Sequence, residues 1–499
     1  MATILGSSMV FIDGSVVNLA LPALQAEFGA TMADVQWVVV AYLLFLSALL
    51  LVGGSLGDAY GRRTVFAIGV AIFAAASVWC GLAPSVAQLV LARAAQGIGG
   101  ALLVPGSLAI LSASFPAEAR GKAIGTWSGF SAVFAGLGPL LGGLLLAYFS
   151  WRWVFLINIP LAVAVLLILF RHVPESRGLS SETRIDWAGA LLATAVLGAI
   201  VYGLMESSEL GFSRPATIAP LAGGLLLFGV FLRVEHASAA PMMPLGLFRS
   251  RTFSGTNLLT LFLYAALSAV LFFLPFNLIQ VQRYGPAAAG AALLPFILIM
   301  SVLSRRSGDL VARHGARRPL IIGPLIAGAG CLLFAVPGIG GSYWTTFFPA
   351  MAVLGLGMAV TVAPLTTAVM GSIPAAHTGI ASGLNNAISR VAGLLAIAIL
   401  GLLLSHSFDA ALQRRTSVLP VPPEVLRDLQ AQRGKLAGMQ IPSALDPGMR
   451  AATQRAIAES YVTGFRSVML ASAGLALAAA LCAYLLVAAD TKSSRAPTV

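Results

Sequence analysis

Residues 2–24 read ATILGSSMVFIDGSVVNLALPAL. That stretch is long and apolar enough to cross a bilayer core, which needs roughly 20 residues. One acid, Asp13, sits near its middle. A carboxylate at that depth is costly in hydrocarbon, so it should face an internal aqueous path or a cationic partner and mark a functional site. The alternative is that Asp13 only pairs with a structural arginine or caps a broken helix.

The whole chain repeats this character. Of its 499 residues 58% are hydrophobic and 10% charged, against about 25% charged in a soluble domain. The reading is an all-α polytopic membrane protein, with long all-apolar runs and none of the alternating ~10-residue segments of an outer-membrane barrel. Cys80, Cys331 and Cys482 lie in apolar runs and read as small core residues, with no disulfide framework. The net charge of +12 is not clustered as a nucleic-acid face would be. The five histidines (172, 236, 314, 377 and 406) are scattered through loops, and no metal-ligand spacing, nucleophile elbow or phosphate-binding loop is present. No enzyme activity, cofactor or metal is expected, and any transport should draw on an ion gradient rather than ATP. The apolar start is too long for a signal-peptide core and carries Asp13, so no cleavage is expected. No Lys or Arg precedes it, so either later loops set the topology or the start lies upstream.

Fourteen candidate spans follow: 2–24, 36–57, 65–83, 87–111, 121–147, 153–171, 187–206, 216–233, 253–280, 287–304, 319–337, 344–370, 378–405 and 463–488. With the amino terminus inside, seventeen Lys and Arg fall in cytoplasmic loops and the tail, and only Arg152, Arg214 and Arg283 in short outer loops. The positive-inside rule then places both termini in the cytoplasm. Eight more basic residues belong to a long outer loop, about 406–460, which votes weakly under that rule. That loop is rich in proline, suggests short helices near 424–439 and 449–461, and reads as a solvated cap.

An internal repeat explains the span count. Residues 114–125, SFPAEARGKAIG, recur at 372–383 as SIPAAHTGIASG, and 54–63, GSLGDAYGRR, recur at 308–317 as GDLVARHGAR. Both loops fall on the same side in both halves. That is a parallel repeat of two six-helix halves, with two spans left over between them. The boundaries predicted are 1–175 for the first half, 176–240 for the inserted spans, 241–490 for the second half and 491–499 for a tail.

Four motifs stand out. The first is IDGSVVNLALP, Ile12 to Pro22, in which Asn18 and Pro22 read as packing and helix-bend residues. The second is the loop from Gly54 to Arg63. There Gly54 and Gly57 permit close helix approach, Gly61 permits a positive φ, and Asp58 can pair with Arg62. The third, LVLARAAQGIG from Leu89 to Gly99, carries Arg93 and Gln96. At ~1.5 Å per residue, Arg93 lies ~9 Å from the outer face and Asp13 ~16 Å from the inner one. In a ~30 Å core those depths differ by only ~5 Å. The fourth is Gly136-Leu-Gly138-Pro139-Leu-Leu-Gly142-Gly143, preceded by Gly125 and Gly129. Its four-residue glycine spacing makes a smooth face and its proline a bend, so by spacing alone it is packing.

Over essentially its whole length, and in the spacing of all four motifs, the chain resembles the fourteen-helix drug:proton antiporters of the major facilitator superfamily. The resemblance implies that fold, with two linker helices between the halves. It implies proton coupling by Asp13 and Arg93 on adjoining spans, with Gln96 nearby. Burial favours the neutral form of such a carboxyl and a neighbouring cation the ionised form. The loop Gly54, Gly57, Asp58, Gly61, Arg62 and Arg63 would be a latch between halves, against the alternative of a static turn. In its second copy Ala312 replaces the acid, and Asp309 is the nearest substitute. The motif Gly136, Gly138, Pro139, Gly142 and Gly143 resembles one characteristic of antiporters. The string from Trp151 to Pro160 is typical of the fourteen-helix branch, and its tryptophans read as an interfacial belt. By analogy the ninth span lines a central cavity with Asn257, Tyr264, Phe273 and Asn277, joined by Asn386 and Arg390 of the thirteenth; Arg390 either lines that cavity or snorkels to the cytoplasm.

The expectation is therefore a monomeric exporter in the cytoplasmic membrane that exchanges protons for lipophilic or amphipathic compounds. The competing readings are a dedicated exporter of an endogenous metabolite, a non-transporting scaffold or sensor, and an uptake symporter.

Overall fold

The structure is a computed structural model. It describes all residues except 178–185, 239–240, 304–314, 374–377, 443–444 and 489–499. Side chains are also left undescribed at 117–125, 128, 129, 131, 132, 135, 208–210, 378 and 379. The second copy of the Gly54–Arg63 loop, with Asp309 and Ala312, lies outside the described residues, as do the contacts of Gly125 and Gly129.

Among the described residues, fourteen long helices make the fold. The first half holds α1 (Ala2–Phe28), α2 (Met32–Tyr60), α3 (Arg62–Leu82), α4 (Val86–Ser114), α5 (Ala117–Tyr148) and α6 (Arg152–His172, broken after Leu156). The inserted pair is α7 (Trp187–Leu210) and α8 (Pro215–Ala237). The second half holds α9 (Arg251–Val281), α10 (Pro286–Leu303), α11 (Arg317–Phe334), α12 (Phe348–Gly371), α13 (Thr378–Thr416) and α14 (Pro447–Leu486). Thirteen of them satisfy a simple length-and-hydropathy test for spanning. The other, α5, is apolar over Gly136–Tyr148 and is as long as its neighbours. Exposed Leu, Phe, Ile and Val side chains cover the flanks, as a lipid-facing surface requires.

The repeat is visible in the packing. Within the first half α1 lies on α5 and α6, and α3 on α4 and α6; within the second half α9 lies on α13 and α14, and α11 on α12 and α14. Between halves α2 meets α13 and α5 meets α10, a reciprocal pair, while α1 meets α9. The inserted helix α7 packs on both α2 and α13, so it braces one of the two inter-half seams.

Glycines set how close these helices come. A Cβ at Gly97 would lie 2.5 Å from the Tyr42 carbonyl, and one at Gly99 2.6 Å from the Phe73 amide nitrogen. These positions let α4 press against α2 and α3. The close approach expected at Gly54 occurs one residue earlier: a Cβ at Gly53 would overlap the Ala101 carbonyl, whereas at Gly54 it would meet Pro105 at an ordinary 3.6 Å.

Two helices run past their expected ends. α13 has 39 residues and α14 has 40, so regular helix continues over much of the segment read as loop. Residues between them form a cap: a short helix Pro423–Ala431 and a 3₁₀ turn Arg433–Gly438. The cap is tied down, not merely solvated. The Gln25 amide donates to the Lys435 carbonyl at 3.1 Å and accepts from Gln280 at 2.8 Å, joining cap, α1 and α9. This end of the bundle is called the cap end below.

Gly53→Val should destabilise the protein by about 1–3 kcal/mol through overpacking. Gly223→Ala, where a Cβ meets nothing within 4 Å, should not destabilise it. Melting temperatures in detergent check both.

Candidate functional site: a sealed ion pair in the first half

Asp13 is 0% exposed, Arg93 1% and Gln96 0%, so the cluster is cut off from solvent. Arg93 Nη1 donates to Asp13 Oδ2 at 2.5 Å and to Gln96 Oε1 at 2.6 Å, and Arg93 Nε donates to the Val38 carbonyl at 3.0 Å. Gln96 Nε2 in turn donates to Asp13 Oδ1 at 2.8 Å and to Ser77 Oγ at 2.9 Å. Asn158 Nδ2 reaches Asp13 Oδ1 at 3.4 Å and Ser77 Oγ at 3.3 Å. The guanidinium lies 4.2 Å from the Tyr42 ring centre and 5.8 Å from that of Phe155.

Five helices therefore converge on one charge pair. Local sequence explains each approach. Gly97 lets α4 sit on the α2 backbone, which brings Arg93 Nε to Val38. Gly99 does the same for α3 and so supplies Ser77. The break in α6 after Leu156 starts a new helix at Asn158 and turns that side chain inward. Arg93 and Gln96 are three residues apart, which stacks them on one face of α4.

Tyr42, Ser77, Asn158 and Phe155 were not singled out for this site in the sequence. Asn158 stood in the Trp151–Pro160 string, which read as an interfacial belt. Trp153 is 49% exposed, as a residue of such a belt would be, whereas Trp151 is 3% exposed. Trp151 is buried, and its indole donates to Glu27 at 2.6 Å.

Of the other motif residues, Gly138 and Gly142 face α1. A Cβ at Gly138 would overlap Ser15 Oγ, and one at Gly142 would sit 3.0 Å from Val16 Cγ1. Gly136 and Gly143 instead face the other half, against Ile297 and Pro286, and the Pro139 carbonyl is met by Gly290. The motif is thus a two-sided bearing between α1 and α10.

In the Gly54–Arg63 loop, Gly61 ends α2 with φ 114°. Arg62 bonds Asp58 at 2.8 Å and reaches the Ala109 carbonyl at 3.4 Å. Glu175, just after α6, accepts from the backbone of Arg63 and Thr64 at 2.9 and 3.1 Å and from the Thr64 hydroxyl at 2.5 Å. Among the described residues, the side-chain-mediated hydrogen bonds of Arg62, Arg63 and Thr64 all go to the first half, and the Arg62 amide donates to the Ser176 carbonyl at 2.8 Å, just after it. Partial burial pushes the Glu175 carboxyl up, but the Thr64 hydroxyl and the amides of Arg63, Ser176 and Thr64 outweigh it and hold it below the ordinary 4.5.

The candidate cavity residues divide. Asn257 is buried and bonded to the Phe253 carbonyl and to Asn385. Phe273 is buried edge-on against Phe272, and Asn277 is buried and held by Gln282. These three do not open onto free space in this conformation. Tyr264 and Arg390 are half-buried and Asn386 is exposed. Arg390 makes no ion pair among the described residues. Beside Asp13 itself, Gly14 faces open space, where a Cβ would meet nothing within 4 Å.

An all-helical bundle of two parallel repeats, with an ionised pair in its core, is the architecture of a secondary membrane transporter. Residues 3–397 match the Major Facilitator Superfamily. The chain belongs to that superfamily, whose members are transporters and not enzymes. It is 34% identical over 432 residues to the Multidrug resistance protein Stp of Mycobacterium tuberculosis, covering 86% of this chain and 80% of that one. It is 33% identical over 488 residues to the Tetracenomycin C resistance and export protein of Streptomyces glaucescens, covering 96% and 89%. Among solved structures, a bacterial homologue of the human lysosomal transporter Spinster, inward-facing and occupied, shares the fold with a TM-score of 0.67 at 18% identity, covering 100% and 98%.

Asp13→Ala or Arg93→Ala alone should destabilise the protein by about 3–5 kcal/mol, because each strands a buried charge. The Asp13→Ala/Arg93→Met double variant should lose less than the sum, in a double-mutant cycle of thermal melts. Glu175 contributes stability that is complete above pH 4.5 and fades as pH falls below it, since its folded carboxyl titrates lower than its unfolded one. Glu175→Gln should speed amide exchange at Arg63 and Thr64 at pH 7, read by hydrogen–deuterium exchange.

Proposed function

We propose that the protein is a proton-coupled antiporter that exports lipophilic or amphipathic toxic compounds across the cytoplasmic membrane, with both termini cytoplasmic and the cap outside. The observation that carries this reading is the Asp13–Arg93 pair, fully desolvated and held by Gln96, Ser77 and Asn158. A buried pair of this kind is weak as a source of stability, since well-packed apolar residues often do as well. Ionisable groups inside a membrane protein commonly serve a proton or ion path. Relatives named for multidrug and antibiotic resistance and export supply the substrate class.

In this mechanism Asp13 takes up a proton from the outer side and Arg93 loses its anionic partner. Arg93 then rests on the Val38 carbonyl, Gln96 and the Tyr42 ring. The contacts that tie α1 to α4 loosen, and the halves turn about the α2/α13 and α5/α10 seams. Release of the proton inward restores the pair. The two ligands act only by binding the two states unequally. Asn386 and Arg390 face the substrate in the cavity, Arg390 against electron-rich groups. The Gly54–Arg63 loop holds one state through Arg62 and Glu175. The protein acts as a monomer.

Asp13→Asn in proteoliposomes should abolish efflux driven by a pH gradient while leaving substrate binding at equilibrium. Full gradient-driven efflux by this variant would end the proposal.

A further inference from the structure

A second chamber lies at the cap end, away from Asp13. It has a volume of about 350 Å³, within the range of small-molecule sites. Its walls come from four parts of the chain. Gln36 stands on α2, Leu204 and Met205 on α7, Ser405 and Asp409 on α13, and Arg433 on the cap. The chamber therefore sits where a linker helix, the inter-half seam and the cap meet.

Its floor is closed. Gln36, which is buried, donates to the Ile397 carbonyl at 3.1 Å across the α2/α13 seam. Gly401 opposite has no room for a Cβ against the Gln36 amide. One wall is apolar, through Leu204, Met205 and Leu402. Two turns along α13 from Leu402, on the same helix face, Asp409 is half-buried and makes neither a hydrogen bond nor an ion pair within 4 Å among the described residues. Arg433 across the chamber and His406 on the same helix are the cations whose fields reach it. A carboxylate held in a partly desolvated pocket without a donor is an unmet hydrogen-bonding demand. A ligand with a basic nitrogen would meet it.

We propose that this chamber is a second binding site, for amphipathic amines, at which a compound rests after leaving the central path and before release. The inference rests on the export reading for its place in the cycle, but the site itself stands on cavity and charge. The ligand's apolar body lies against Leu204, Met205 and Leu402, and its nitrogen meets Asp409. This also gives α7 a task, since a bundle without the linker pair would leave the chamber open to lipid.

The test uses the full chain in nanodiscs, with Cys482→Ser to silence the half-buried thiol and Ser405→Cys as a reporter inside the chamber. Labelling of Ser405→Cys by a charged methanethiosulfonate is timed with and without ethidium, an aromatic cation with N–H donors. Ethidium should slow labelling in the parent. Asp409→Asn should raise the ethidium concentration needed by about tenfold, while Asp409→Glu should keep protection, each scored as the ratio of that variant's own labelling rates with and without ethidium. No protection in the parent, or equal protection in Asp409→Asn, would overturn the proposal. Because the readout needs no gradient, a chain that protects Ser405→Cys but fails in Asp13-dependent efflux would refute the antiport reading and leave this site standing.

Discussion

A single ion pair placed in an apolar bundle constrains everything around it. Separating either charge from its partner in that environment would cost several kcal/mol, so both must be met from every side. Arg93 has donors towards Asp13, Gln96 and the Val38 carbonyl, and its flat face lies on Tyr42. Asp13 accepts from Arg93, Gln96 and Asn158. Helices α1, α2, α3, α4 and α6 each supply one part of this coordination, so their relative positions are fixed by it. The glycines at 97 and 99 are the steric condition for the same arrangement, because any side chain there would push α4 away from α2 and α3.

Among the described residues the second half has no such centre. Asn257, Thr260 and Asn385 form a neutral polar link between α9 and α13 at the pseudo-equivalent seam of helices one and five. Neutral amides cost far less to bury than charges, so this half is held with little electrostatic stake. The two inter-half seams differ in the same sense. At α5/α10 the backbones touch through Gly143 and Gly290, and Gly136 makes room for the Ile297 side chain. At α2/α13 the contact is side-chain mediated, through Gln36, and is braced by α7. A seam of backbone contacts can pivot with few side chains to repack, whereas one threaded by a buried glutamine must break a hydrogen bond to part.

The spans were legible because a bilayer core imposes one length on every crossing helix. Their number, the repeat and the similar depths of Asp13 and Arg93 all followed from that rule. What was hidden followed from the same cause. Hydropathy marks where a helix leaves the apolar layer, not where it ends, so the water-exposed turns of α13 were read as loop and the first turns of α14 as a separate short helix near 449–461. That error concealed Asp409, which lies one turn beyond the expected end of its span. Asn158 was missed because the aromatic residues around it gave an interfacial signal, and nothing in the string marks the break after Leu156. Tyr42 sits in an unbroken apolar run where an aromatic is unremarkable until a guanidinium is found on its face. The Gly53 contact was displaced by one residue because a pair of adjacent glycines does not show which of them faces the neighbour.

The sealed state of the pair bears directly on how a proton reaches it. Successive residues of a helix point about 100° apart, so Gly14, next to Asp13, looks along a different direction. That direction is open: among the described residues, nothing outside its own helix lies within 4 Å of where its Cβ would be. On α1 the carboxyl and the free space are thus separated by one glycine and by no side chain. Ser15 and Val16, the residues after it, are clamped by Gly138 and Gly142 of α5. Those two glycines leave α1 a smooth surface to turn on, while Ser15 already returns its hydroxyl to the carbonyls of Phe11 and Ile12 and holds nothing on α5. A small rotation of α1 against α5 would carry Asp13 from Arg93 towards the open side; the hydrogen bond that joins the two helices lies further along, where the Trp127 indole donates to Ser7 Oγ at 3.1 Å. The barrier to protonating Asp13 then lies in its own bonds to Arg93, Gln96 and Asn158, so the partners that seal the carboxyl also set when it can be reached.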